Sequence, residues 1–189
     1  MPNPFAIAAK GKGPFALVQR AQSITRRYGF TAAKMDRALR SLSDVLNQFD
    51  AQGSFPVTSV ALARNGGILE KYQAQGIEFA VHGLVHVDHT QLSLAEQHRH
   101  FKQAQQIFNQ AGIRFSGFRC PYLRWNPDTL TALGECGFAY DSSQALAWDV
   151  VNGLETDPYL RVLDFYGAQM AAAFPALPRI AGSLVRIPY

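Results

Sequence analysis

Residues 77 to 89 read Ile-Glu-Phe-Ala-Val-His-Gly-Leu-Val-His-Val-Asp-His, and how this stretch is parsed decides the fold. A short, mostly apolar run, Ile77 to Val81, passes without a break into His82 and His86. A run of that length and composition predicts a buried strand. Two histidines four apart fall on one side of a single helical turn, and such a pair can hold one divalent ion. A strand that delivers a reactive side chain immediately past its end is how a parallel α/β barrel furnishes the C-terminal rim where its sites are built. The stretch reads as the floor of an active site.

Working outward, Ser93 followed by Glu96 forms a capping box, and the helix it opens buries Leu94, Phe101, Ala104, Ile107, Phe108 and Ala111 before Gly112 stops it. Ile113 to Phe118 predicts the next strand, which runs into Arg119-Cys120-Pro121-Tyr122. Asn126 then caps a helix with Pro127 at its first position and Leu130 and Leu133 facing inward, and Phe138 to Asp141 is again a strand. Residues 142 to 183 mix apolar segments with Pro158, Pro175 and Pro178 and resist assignment; Leu184 to Pro188 reads as a strand with no helix to cover it.

On the other side, Gly66 to Gln75 predicts a short helix and Ser54 to Leu62 a buried strand rich in Val, Phe and Thr. A helix capped by Thr31 carries Met35, Leu39, Leu42, Val45, Leu46 and Phe49 on the 3.6-residue period. Phe15 to Val18 predicts the first strand, and the Pro- and Gly-rich residues 1 to 14 an arm, so that one domain is expected over 15–189. Strands alternating with helices imply a mainly parallel sheet. Three successive strands would present His82, Arg119 and Asp141 just past their C-terminal ends.

Composition narrows the function classes. With 189 residues, 48% apolar and 17% charged, the chain suits one globular domain with a sizeable core. Its longest apolar stretches, such as Met170 to Leu177, fall far short of the roughly 20 residues that cross a bilayer. The first ten residues have neither the basic nor the apolar region of a secretory signal, which predicts a cytoplasmic protein if this is the native start. The net charge is +4, with eight basic and three acidic side chains in residues 1 to 50. No zinc-finger spacing, helix-turn-helix signal or basic run interleaved with aromatics accompanies that excess, so no nucleic-acid partner is expected. Cys120 and Cys136 predict two buried free thiols rather than a disulfide framework.

Together, His-Gly-Leu-Val-His at 82 to 86, Arg-Cys-Pro-Tyr at 119 to 122 and Asn-Pro-Asp-Thr-Leu at 126 to 130 resemble the polysaccharide deacetylase (NodB homology) family over roughly residues 23 to 145. The resemblance implies an α/β fold, a distorted TIM-like (β/α) barrel, here ending as a barrel incomplete at its C-terminus would. It also implies hydrolysis of a carbon–nitrogen amide bond, other than a peptide bond, in an N-acylated carbohydrate or small amide. His82 and His86 would be metal ligands, zinc foremost, polarising the acyl carbonyl and the attacking water. Arg119 would orient the catalytic base, and Tyr122 would lend its backbone N–H to the developing oxyanion. The family's T-F-D-D-G loop reads Thr25-Arg26-Arg27-Tyr28-Gly29 here, and a cation in place of an aspartate repels a metal dication. The later histidine that serves the family as general acid is also missing, since all five histidines fall between 82 and 100.

Several residues keep two readings. His82 and His86 are a metal or substrate pair or a structural one, with Asp88, His89 and Asp141 the candidates to complete a ligand set. Arg119 is catalytic or forms a structural ion pair with a carboxylate such as Asp141, itself a candidate catalytic residue. Arg26, Arg27 and Tyr28, followed by a helix N-terminus, are a substrate-carbonyl or anion site or solvated loop residues. Trp125 and Trp148 stack on a sugar ring or pack at the rim. His98 and His100 are expected on the outward side of the Ser93 helix. Besides a metal-dependent deacetylase, the sequence therefore admits a metal-free amidohydrolase of the allantoinase type and a catalytically silent relative. The last would bind a carbohydrate or anionic metabolite through Arg26, Arg27 and Arg119.

Overall fold

The computed structural model describes residues 31–148 and 155–189. Arg26, Arg27, Tyr28 and the expected strand Phe15 to Val18 lie outside the described residues. Two units are distinguished, residues 1–50 and 51–189. The described part of the first is helix α1, Ala33–Gln48, in which Leu39 is fully buried and Arg40 pairs with Asp36 one turn away at 2.8 Å. Thr31 accepts from the Ala33 amide at 3.4 Å, but the cap position falls at Ala32, and the helix stops five residues short of Gly53.

The second unit is an α/β arrangement around a six-stranded sheet. Its elements in chain order are β1 (Ser54–Val57), α2 (Ser59–Gln73), β2 (Glu78–Val81), α3 (Leu94–Gln110), β3 (Gly117–Phe118), α4 (Pro127–Glu135), β4 (Tyr140–Asp141), β5 (Leu146–Ala147), α5 (Asp157–Tyr166), β6 (Gln169–Met170), β7 (Arg179–Ala181) and β8 (Leu184–Arg186). Among the described residues the sheet order is β1-β2-β3-β4-β8-β7, parallel except for the hairpin of β7 with β8, while β5 and β6 form a separate parallel pair. The mainly parallel sheet expected from alternating elements is present.

Several boundaries differ from those read in the sequence, each for a local reason. Ser54 to Leu62 is not one strand: β1 ends at Val57, extended Thr58 takes the N-cap position, and α2 starts at Ser59, absorbing the short helix expected at 66–75. The merged helix is kinked at Asn65, whose side-chain amide donates to the Ala61 carbonyl at 2.7 Å and competes with the main-chain ladder. Residues 82–88 are not helical. Gly83 takes φ +82°, a conformation open to glycine and foreign to a right-handed helix. The strands expected over 113–118, 138–141 and 184–188 shorten to 117–118, 140–141 and 184–186.

Both capping signals hold. Ser93 and Glu96 satisfy each other's backbone at the start of α3, and Asn126 with Thr129 do the same at α4, Pro127 following. Of the predicted α3 stripe, Phe101, Ala104 and Phe108 are fully buried, whereas Leu94 is exposed. His98 and His100 are half-buried rather than outward. The core under the sheet is aromatic: Phe101 meets Phe118 at 4.7 Å between ring centroids, and Phe138 lies 5.6 Å from Phe118. Cys120 and Cys136 are buried free thiols, as predicted, with burial pushing both above the ordinary thiol range. Among the described residues no helix is long and apolar enough to cross a membrane.

Candidate active site at the strand ends

Parallel pairing sets out the rim as a staircase. The His82 amide donates to the Val57 carbonyl, the Arg119 amide to Val81, the Ser142 amide to Phe118 and the Ile187 amide to Asp141, at 3.0, 2.9, 2.9 and 2.8 Å. Each residue just past a strand is thereby tied to the last residue of its neighbour, which brings the strand ends of β1, β2, β3, β4 and β8 to one side of the sheet.

On that side stand His82 and His86, their ring centroids 5.1 Å apart and nearly edge to face. His82 Nδ1 lies 2.8 Å from the Arg119 carbonyl oxygen. A carbonyl can only accept, so Nδ1 carries the hydrogen and Nε2 presents its lone pair. Burial lowers the His82 pKa, against the contrary pull of that hydrogen bond, and the neighbouring His86 and Arg119 lower it further. The ring is therefore neutral at pH 7 and ready to accept a proton or an ion. His86 is exposed and meets the Tyr122 ring at 4.5 Å.

Tyr122 and Leu123 take φ +58° and +56°. Two consecutive non-glycine residues in the left-handed region store about 1–3 kcal/mol each and persist only where the surroundings hold them, a situation frequent at functional sites. The turn is anchored by the Leu123 amide on the Cys120 carbonyl at 3.0 Å and the Arg124 amide on Pro121 at 3.2 Å.

Arg119 does not pair with Asp141. Its Nε–H donates to the Ser142 carbonyl and hydroxyl at 3.1 and 3.0 Å, and its guanidinium lies 4.0 Å over the Tyr189 ring. Asp141 instead faces Arg186 of β8 at 3.2 Å, in the register that places those two residues side by side. Ser143 gives Asp141 both its hydroxyl and its amide, and the same hydroxyl accepts from the Cys120 amide at 2.8 Å. The Arg186 guanidinium packs 3.9 Å from the Trp125 ring centroid. Burial raises the Asp141 pKa against these partners. Asp141 and Arg186 thus form a sealed polar pair beneath the half-buried Trp125 ring, with Asp141 only 1% exposed, while His86 and Tyr122 are exposed beside His82.

Ser142, Ser143, Arg186 and Tyr189 were missed from sequence. The one available signal was the period of two in β8, which puts Arg186 on the same buried face as Leu184. His89, offered as a ligand, is fully buried against Phe101 and Phe118 at 5.3 and 5.7 Å. Asp88 is engaged by Arg124 at 3.0 Å and by Thr90. Catalytic zinc sites use three protein ligands. His82 and His86 offer two, and among the described residues no group of three His, Cys, Asp or Glu side chains could hold an ion. The described donor set alone does not fit a zinc centre.

Comparison with known proteins agrees with this architecture. The family model for polysaccharide deacetylase matches residues 31–140. No curated protein matches the chain. Among solved structures, a polysaccharide deacetylase from Mycobacterium smegmatis superposes with a TM-score of 0.53 at 19% identity, over 70% of this chain and 61% of that one. A family 4 carbohydrate esterase from Streptomyces lividans gives 0.50 at 20% identity, over 79% and 71% of the two chains. BA3943, a family 4 pseudoenzyme from Bacillus anthracis, gives 0.52 at 13% identity, over 56% and 38%. The chain therefore spans less than two thirds of the mycobacterial and Bacillus proteins, and at these identities the likeness shows the fold alone. The family match covers more than half of the chain, and the chain belongs to the polysaccharide deacetylase family.

Proposed function

We propose that the chain is a deacetylase-like hydrolase that cleaves the C–N bond of an N-acylated carbohydrate, with His82 as the proton acceptor. One observation carries this reading: the Nδ1–H bond to the Arg119 carbonyl fixes the tautomer that leaves Nε2 free, on a ring kept neutral by burial. Nε2 takes a proton from the water that adds to the acyl carbon. The resulting oxyanion is met by the backbone N–H of Tyr122, the role the family resemblance gives it. Collapse breaks the C–N bond, and the proton passes from the imidazolium to the leaving amine, giving a carboxylic acid and a free amine. A divalent ion held by His86 and the same His82 nitrogen would polarise the carbonyl in place of that proton transfer, not alongside it. Asp141 serves in this reading as a support for the rim through Ser143 and Arg186, not as a group that meets substrate.

The test is release of acetate from N-acetylglucosamine oligomers before and after chelation. Turnover that survives the chelator assigns His82 to proton transfer. Turnover lost on chelation and restored by zinc assigns it to the ion, and no turnover in either condition overturns the hydrolase.

A second reading, a silent relative that binds a carbohydrate or anionic metabolite, is favoured by a specific observation. The described donors stop at two imidazoles, and the resemblance lays Arg27 and Tyr28 on the family's two aspartates. Its test is the double substitution Arg27→Asp with Tyr28→Asp. A chain whose only deficit is that loop gains zinc and acetate release together, whereas one with no remnant of the site gains neither.

A further inference from the structure

We propose that Arg124 is a positioning residue, a strut that holds the loop carrying His86 against the turn carrying Tyr122. The strut itself stands on contacts; its service to catalysis rests on the function proposed above. The two site groups come from separate loops, one after β2 and one after β3. Those loops are tied where they leave the sheet, through the Arg119 amide on the Val81 carbonyl and His82 Nδ1 on the Arg119 carbonyl. His86 and Tyr122 lie further out, past the end of the ladder. There the Asp88–Arg124 pair joins the loops: Arg124 Nε lies 3.0 Å from Asp88 Oδ2, two residues past His86 on one loop and two past Tyr122 on the other. The pair thus flanks the 4.5 Å contact between the His86 and Tyr122 rings.

Each end is built for that task. Asp88 is itself fixed, accepting from the Thr90 amide at 3.0 Å and the Thr90 hydroxyl at 2.6 Å. The guanidinium fork of Arg124 reaches a second partner at once: Nη1 donates to the Phe165 carbonyl at 3.4 Å, and the group lies 5.2 Å from the Phe165 ring centroid. With side-chain exposures of 31% and 24%, Arg124 and Asp88 are shielded beyond a fully solvated ion pair, whose contribution would be small. Helix α5 has no buried residue, so the firmness of the strut comes from Asp88. The strained turn explains why an outside hold is needed. Tyr122 and Leu123 keep their left-handed φ only while neighbours over-determine them, and Arg124, the next residue, supplies a link to another loop. The Tyr122 N–H that meets the oxyanion is therefore placed by a side chain that does not touch the reacting atoms. Because that N–H acts on the transition state, misplacing it lowers kcat and leaves KM unchanged.

The experiment compares the wild type with Arg124→Met, which keeps the aliphatic stem and loses the fork, with Asp88→Asn, and with both together. Three readings are taken: the His86 ring signals in NMR spectra of histidine-labelled protein, assigned by their loss in His86→Gln; calorimetric binding of the N-acetylglucosamine tetramer; and acetate release. In each variant the His86 signals move from the position set by the Tyr122 ring toward that of an exposed histidine. The kcat falls about 10–10²-fold, the range for a misplaced oxyanion donor, with KM and tetramer affinity within twofold. Full binding stoichiometry shows that a variant is folded, and Asp88→Asn, which keeps an acceptor for Thr90, carries the test if Arg124→Met does not fold. The double variant loses no more than the worse single, since the two residues act as one unit. His86 signals unmoved in the single variants, losses that add in the double, or an unchanged kcat overturn the proposal. No acetate release from the wild type overturns the hydrolase instead, and the His86 signals then decide the strut alone.

Discussion

Asp141 and Arg186, neighbours across β4 and β8, form a buried ion pair at 3.2 Å with exposures of only 1% and 3%. Burial outweighs attraction for both partners, raising the Asp141 pKa and lowering that of Arg186. Removing one partner strands the other, so Asp141→Asn and Arg186→Met should each cost about 3–5 kcal/mol. The double variant should recover most of that loss, because two neutral groups need no counter-charge. Urea unfolding of the four proteins measures the coupling, and additive losses would contradict it.

Acid should weaken the fold through His89. Its pKa is lowered to about 4 by burial first, with His100 and His82 adding repulsion. The ordinary value is 6.5, so between pH 6.5 and about 4 the unfolded chain takes up a proton that the folded chain refuses. Stability falls over that window as pH drops, by about 3 kcal/mol in total, and this contribution is flat below it. His89→Leu should reduce the slope to the part that His82 and His100, also lowered by burial, maintain, which melting temperatures from pH 7 to pH 4 will show.

His82→Ala should lower kcat about 10²–10⁴-fold while costing stability only about 1 kcal/mol for the lost hydrogen bond. His82→Asn, whose amide can still donate to the Arg119 carbonyl, should restore stability but not rate. Because the His82 pKa is lowered, the acid limb of kcat/KM should lie below pH 6.5, with a plateau above. Stopped acetate-release assays across that range locate the limb, and a limb above pH 6.5 assigns the proton acceptor to another group.

Gly117 admits no side chain. A Cβ there would stand 1.8 Å from the Tyr140 ring on the adjacent strand, whose hydroxyl donates to Glu78 at 2.8 Å. That hydrogen bond and burial together push the Tyr140 phenol up to about 12, so the ring is anchored rather than free to swing. Gly117→Ala should therefore cost about 3 kcal/mol, at the upper end of ordinary overpacking. Adding Tyr140→Ala should make the alanine at 117 tolerable, a rescue visible in thermal melts.

How much of this was legible follows from which signals are local. The box at Ser93 with Glu96 and the cap at Asn126 followed by Pro127 depend on spacings of one to three residues and were read correctly. The start of α2 was not, because Ser59, Val60 and Leu62 carry the composition of a strand and become helix only through the extended cap at Thr58. At the site, the sequence brought His82, Arg119 and Asp141 to the rim but assigned the partners wrongly. The Asp141–Arg186 pair spans β4 to β8, and its register is set by a hairpin far along the chain. The reading of His82 and His86 as a helical pair failed on Gly83, whose positive φ bends the chain, yet the two rings still meet.

Adjacent strands β4 and β8 are linked by an excursion through β5, α5, β6 and β7. That detour supplies Phe165 and Tyr166 to the rim yet only β7, an outermost strand, to the main sheet. A cleft at the rim is thus walled on one side by the loops after β2 and β3 and on the other by a segment that adds a single edge strand to the main sheet.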